Sequence, residues 1–210
     1  MESIYIKLFL YAIIVLSASF HEFAHAFAAF KLGDSTAKDE GRLTLNPLKH
    51  IDLMGTVIIP LFLLLSPAGI FIGWAKPVPY NPYNLRDKKY GSLKVGIAGP
   101  AANFLIALIL GIFLRLVLSG VFGLNIFSGI FLSALGLIIY INIFLGIFNL
   151  IPIPPLDGSK VLMDLFPRAN YVMVSVGIFG IFLALAIAFF ILSPLAGFIF
   201  RLIVGQSFGF

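Results

Sequence analysis

At 210 residues, with 60% hydrophobic and only 11% charged, the chain carries more apolar surface than a water-soluble fold of this size can bury. Its net charge of +5 lies in short basic loops rather than on one clustered face, which excludes nucleic-acid binding and bears instead on membrane topology. There is no cysteine, so disulfides and thiolate metal ligands are excluded and any metal must be held by histidine and carboxylate.

These bounds predict an all-α polytopic membrane protein forming a single membrane-embedded domain over residues 1–210, with five or six apolar segments. The first apolar run, Ile4 to Phe30, shows no small-residue cleavage signature and reads as a retained first span. It is interrupted by His21, Glu22 and His25 and closed by Lys31-Leu32-Gly33-Asp34, a helix-ending sequence. Residues 34–50 are polar and contain a strand-like stretch, Gly41 to Leu45. A second apolar run, 53–73, is broken by Pro60 and by Ser66-Pro67-Ala68-Gly69. The prolines of Trp74-Ala75-Lys76-Pro77-Val78-Pro79-Tyr80-Asn81-Pro82 forbid helix and suit an extended edge. Short β-hairpin or extended edges are therefore predicted at 41–45 and 74–80. The third run, 93–118, begins around Gly99-Pro100-Ala101-Ala102-Asn103, and the loop after it, 119–128, has no charge. The fourth, 129–151, ends in Asn149-Leu150-Ile151-Pro152-Ile153-Pro154-Pro155-Leu156-Asp157-Gly158. An amphipathic piece at 158–168 and a last apolar run at 171–192, with a tail to Val204, complete the chain.

His21-Glu22-Phe23-Ala24-His25 has the zincin pattern H-E-x-x-H. Residues four apart lie one helical turn apart on one face, so both imidazoles reach one ion. Glu22 is rotated about 100° from His21 and can act as base toward a water on the metal without ligating it. The alternative is a chance match in which polar side chains glue helices together. Ionisable groups inside an apolar run cost about 2.5–3.5 kcal/mol each at a helix centre when charged, so they need a partner, and a single zinc ion supplies one. Catalytic zinc takes three protein ligands and leaves one position open. The longer zincin form is excluded because positions 28 and 31 hold Ala28 and Lys31. Among the remaining acids and His50, Asp157 is favoured, since it follows an apolar span and a proline-stiffened turn; its alternative role is a helix N-cap. Asp34 and His50 lie in polar loops and are weaker candidates. Asn103 and Asn149, amides within apolar spans, are candidates for stabilising an oxyanion or binding substrate, with interhelical hydrogen bonding as the alternative.

The H-E-x-x-H segment, the segment Asn149 to Gly158, and Gly99-Pro100-Ala101-Ala102-Asn103 between them resemble the site-2 protease family of intramembrane zinc metalloproteases, in the family's order and over most of the chain. The resemblance is to short members without PDZ or CBS domains. It implies one zinc on His21, His25 and Asp157, with Glu22 as catalytic base. It also implies a zinc-dependent intramembrane endopeptidase acting on transmembrane protein substrates in the lipid bilayer, in regulated intramembrane proteolysis. An intramembrane metal transporter would string ligands along a path across several spans, and a non-catalytic scaffold would have no need of Glu22.

If run 53–73 dips into the membrane and returns, loops 31–50, 76–94 and 152–170 share one side. These hold nearly all the Lys and Arg, while 119–128 on the other side holds none. The positive-inside rule then makes this a multi-pass protein of the cell membrane with the active site toward the cytoplasm.

Overall fold

A computed structural model describes residues 4–65, 73–121, 127–166, 168, 180, 184 and 186–208. The chain divides into two compact units, residues 1–91 and 92–210.

The first unit is organised on α1 (Ile4–Lys31), 28 residues that pass through the H-E-x-x-H motif without a break. At about 1.5 Å per residue it is longer than a bilayer core is thick. Its buried residues include Ile13, Ser17, His21, His25 and Ala29, a stripe repeating every four positions. The helix stops at Gly33, whose φ of 109° only glycine adopts at little cost. Gly33 N–H donates to Phe30 O and Asp34 N–H to Ala29 O (3.1 and 2.9 Å), the paired bonds of a Schellman end. A single turn, α2 (Thr36–Asp39), follows.

Next come a 3₁₀ turn, Pro47–Lys49, a π-helical turn, Leu53–Ile58, and α3 (Ile59–Leu65). Asn46 and Asp52 cap the first two, accepting from Leu48 N–H and Gly55 N–H. Pro60 is the second residue of α3, which continues directly from the π-helical turn. The stretch leaving at Gly55 is back beside it at Trp74: Trp74 N–H donates to Gly55 O at 3.0 Å, and Thr56 Oγ1 donates to Trp74 O at 2.8 Å. The two ends of 55–74 thus meet at one level. The bend at Ser66-Pro67-Ala68-Gly69 lies outside the described residues.

The second unit contains α4 from Ser92 onward (helix Gly91–Leu118), α5 (Gly129–Asn149), α6 (Asp157–Leu165), a π-helical turn Ala188–Leu192, and α7 (Ser193–Val204). Ser128 caps α5 by accepting from Phe131 N–H. One apolar core joins α4, α5 and α7 through Ala107, Leu114, Ile139, Ile143, Ala196 and Phe200. A second gathers Ile151, Leu156, Ala184, Ala188 and Leu192 around the proline-rich turn after α5. Close backbone approach places α6. A Cβ on Gly158 would lie 2.2 Å from Leu150 O and 2.6 Å from Ile151 O, distances no side chain tolerates. A Cβ on Gly96 of α4 would stand 3.2 Å from both Asp157 O and Lys160 Cβ. Asp164 Oδ2 accepts from Leu93 N–H at 2.6 Å, tying the far end of α6 to the first turn of α4.

Two features of the predicted fold class are corrected. Among the described residues, three helices rather than five or six segments are long and apolar enough to cross a membrane: α1, α4 and α5. The stretches Leu53–Leu63 and Phe190–Val204 are apolar but shorter, and 171–179 lies outside the described residues. Secondly, no strand occurs among the described residues, and neither 41–45 nor 74–80 forms a hairpin or β-edge. The physical reason lies in where their hydrogen bonds go. Residues 41–45 form a series of bends starting at Gly41 (φ 67°), with the Arg42 side chain turned inward. The backbone of 74–78 is satisfied by side chains and by isolated carbonyls of other turns, not by a neighbouring strand.

Candidate metal centre and base

Within the first unit, the stripe on α1 brings His21 and His25 together. Their Nε2 atoms lie 3.0 Å apart and their rings meet edge to face at 81°, both residues being buried. Two nitrogens about 2.0–2.1 Å from one tetrahedral ion would stand roughly 3.3 Å apart, so this pair fits two positions of a zinc site with little adjustment. Nitrogen donors in an apolar helix, with no thiolate in the chain, are the chemistry that zinc accepts.

Glu22 points elsewhere on the helix, as its rotation from His21 requires. Its Oε2 accepts a hydrogen bond from Val78 N–H at 2.8 Å. Val78 belongs to the proline-rich segment, and that segment is itself pinned: Lys76 N–H donates to His50 O (2.9 Å), while Arg42 donates through Nη1 to Pro77 O (2.6 Å) and through Nη2 to Lys76 O (2.7 Å). These contacts were missed in the sequence. The only hint was a single arginine in a short polar loop, which carries no sign of its target.

Asp34, a weak metal candidate, is fully buried with its carboxylate engaged by Thr36 N–H, Thr36 Oγ1, Asn81 N–H and Asn84 Nδ2 at 2.6 to 3.2 Å. Burial alone pushes this carboxyl up; hydrogen bonds from Thr36, Asn81 and Asn84 together outweigh it and hold the group below its ordinary 3.8. Asp34 is thus a clamp between the end of α1 and the turn Pro82–Asn84. His50 is buried with Nε2 donating to Thr44 O at 2.8 Å, a loop-packing role.

In the second unit, Asp157 is buried at the first residue of α6, and Leu156 holds the N-cap position. Its Oδ1 accepts from Lys160 Nζ at 2.7 Å, one turn along the helix. Gly158 and Gly96 fix where its backbone runs. Asn103 is fully buried, and its Nδ2 donates to Asn142 Oδ1 at 2.9 Å between α4 and α5. Asn142 Nδ2 in turn donates to Ile138 O. Asn149 Nδ2 donates to Leu145 O of its own helix at 3.0 Å. Each of these bonds uses one of the two hydrogens on the amide nitrogen. Asn142 was not singled out in the sequence, although an asparagine inside an apolar span is the kind of signal that marks an interhelical bond.

Comparison with known proteins places this chain. Residues 117–193 match the model of peptidase family M50. The chain is 43% identical over 163 residues to "Putative zinc metalloprotease YwhC" of Bacillus subtilis, an overlap covering 75% of this chain and 69% of the relative. The chain belongs to peptidase family M50. It is also similar to "Putative zinc metalloprotease MJ0611" of Methanocaldococcus jannaschii, at 31% identity with 75% and 71% covered. With "Putative zinc metalloprotease Rip2" of Mycolicibacterium smegmatis it shares 34% identity over 70% of this chain, but spans only 53% of that relative's length. No solved structure matches. The three long apolar helices and the family membership together make this M50 member a membrane protein.

Proposed function

We propose that this chain is a zinc-dependent intramembrane endopeptidase that cleaves transmembrane segments of other membrane proteins. The observation that carries the reading is the pair of buried imidazole Nε2 atoms 3.0 Å apart on a helix long enough to cross a bilayer, with a carboxylate at the next residue. The relatives' names as zinc metalloproteases support the metal and the reaction class. His21 and His25 would hold one zinc through Nε2, with Asp157 as the third ligand. Zinc, when bound, supplies Lewis acidity at the scissile carbonyl and toward the attacking water.

The chain's own residues do the rest. Glu22 accepts the proton of the attacking water and passes it to the amide nitrogen as the carbon–nitrogen bond breaks, so that a carboxylate and an amine leave. Val78 N–H, bonded to Oε2, fixes the carboxylate and leaves Oε1 to carry the proton. By the distribution of Lys and Arg, the active site faces the cytoplasmic side of the cell membrane.

The test is purified protein in detergent with a panel of fluorescently tagged transmembrane segments, wild type beside Glu22→Gln. Chelator-sensitive cleavage by the wild type alone, with about one zinc in both proteins, supports the proposal. Equal activity in Glu22→Gln, or no zinc in either, refutes it. Loss of zinc in Asp157→Ala with the fold retained tests the third ligand.

A further inference from the structure

The bond between Val78 N–H and Glu22 Oε2 depends on where the backbone of 76–78 is held. Here Trp74 N–H and O, Lys76 N–H and O, and Val78 N–H are all engaged. Four of these contacts lie at Trp74 and Lys76, and only the last reaches the base. Immediately before Val78 stands Pro77, which has no N–H of its own, so its carbonyl is the last handle by which the chain can be gripped. Arg42 grips it: this residue, only 6% exposed, spans Lys76 O and Pro77 O with its two terminal nitrogens. Planar, two-point bonding of this kind fixes orientation as well as position, and lysine does not reproduce it. The peptide plane that carries Pro77 O also carries Val78 N–H. Fixing one end of that plane aims the other at Glu22.

We infer that Arg42 is a positioning residue for the base: by holding the Lys76 and Pro77 carbonyls it aims the Val78 amide at Glu22 and sets the carboxylate's orientation. Arg42 touches neither the histidines nor Glu22 in this scheme; it acts through one peptide plane. The inference rests on the proteolytic reading for its catalytic consequence, but the structural coupling stands apart from it.

Two measurements on the purified full-length chain decide the matter. The first is hydrogen exchange at the Val78 amide, with amides of α4 as the folding control. Exchange should rise in both Arg42→Ala and Glu22→Ala while α4 keeps its protection. The second is cleavage kinetics. Arg42→Ala should lower kcat about tenfold, the scale expected of a misaligned catalytic group, with KM and bound zinc unchanged within roughly twofold. Arg42→Lys should lie between, and methylguanidinium added to Arg42→Ala should restore part of the rate. Val78→Pro removes the same donor directly, so combining it with Arg42→Ala should be no worse than the poorer single variant, whereas independent structural damage would multiply. Unchanged Val78 exchange in Arg42→Ala, an unchanged kcat, or multiplied losses would overturn the inference. Should Arg42→Ala lose α4 protection, the same readings are taken on Arg42→Lys. If the wild type cleaves nothing, proteolysis falls, while the exchange data still decide whether Arg42 sets Val78 against Glu22.

Discussion

Two proline-rich segments, 74–82 in the first unit and 150–158 in the second, are held by opposite means. The first is hung from side chains: Arg42, Thr56, Glu22 and Asp34 each bond to its backbone. The second is wedged by shape. Ile151 and Leu156 enter an apolar core, and Gly158 lies against the Leu150 and Ile151 carbonyls with no room for a methyl group. A backbone suspended on hydrogen bonds can be re-aimed by changing one donor; one fixed by close packing tolerates no change of volume. The segment beside the proposed base is of the first kind, and the one carrying the proposed third ligand is of the second.

The sharpest way to break this contrast is Gly158→Ala. Its methyl group would meet backbone atoms that cannot swing aside, so we expect a loss of about 3 kcal/mol or outright failure to fold, read from thermal unfolding in detergent. Tolerance of that alanine would end the claim that 150–158 is wedged.

Asp34→Ala should come next, at about 2–3 kcal/mol, because it leaves the donors of Thr36, Asn81 and Asn84 without their charged acceptor. The same residue predicts a pH dependence. Its folded-state carboxyl titrates below the ordinary 3.8, so its contribution is fully present above that value and is lost as pH falls through the lower folded one. Unfolding measured from pH 6 down to pH 3 should show a steeper loss in the wild type than in Asp34→Asn, and parallel curves would contradict the clamp.

A smaller effect is expected of Gly55→Ala. The added Cβ would sit 2.2 Å from the Trp74 ring, but a half-exposed ring can turn away where a carbonyl cannot. The cost should be about 1 kcal/mol, accompanied by a shift in fluorescence from the chain's single tryptophan. The smallest is Asn142→Ala, at about 0.6 kcal/mol, the typical worth of a hydrogen bond between membrane helices. A much larger loss would mean that the second unit leans on hydrogen bonding as heavily as the first.

What could be read in advance follows the range of the interaction. Helix α1, its stop at Gly33 and the facing of His21 and His25 depend on residues four apart, and periodicity shows them. The predicted edges at 41–45 and 74–80 failed because a strand-like stretch in the first and prolines in the second say only that helix is disfavoured. Whether the freed backbone then pairs with a strand or with a buried Arg42 depends on residues over thirty positions away, and no local pattern carries that information. Glu22 was singled out as a candidate base from its motif, but its hydrogen bond to Val78, 56 positions along, was not legible. Gly158 was legible as part of a motif, and the reason for it emerged only with the Leu150 carbonyl beside its Cα.

The prolines at 77 and 79 have one more consequence. Neither carries an N–H, and the amides of Trp74, Lys76 and Val78 around them are already engaged within the first unit. A second copy of the chain, meeting this one in a crowded bilayer, would find few N–H groups there with which to build a ladder. The segment that flanks the base is thereby protected against sticking to its own kind.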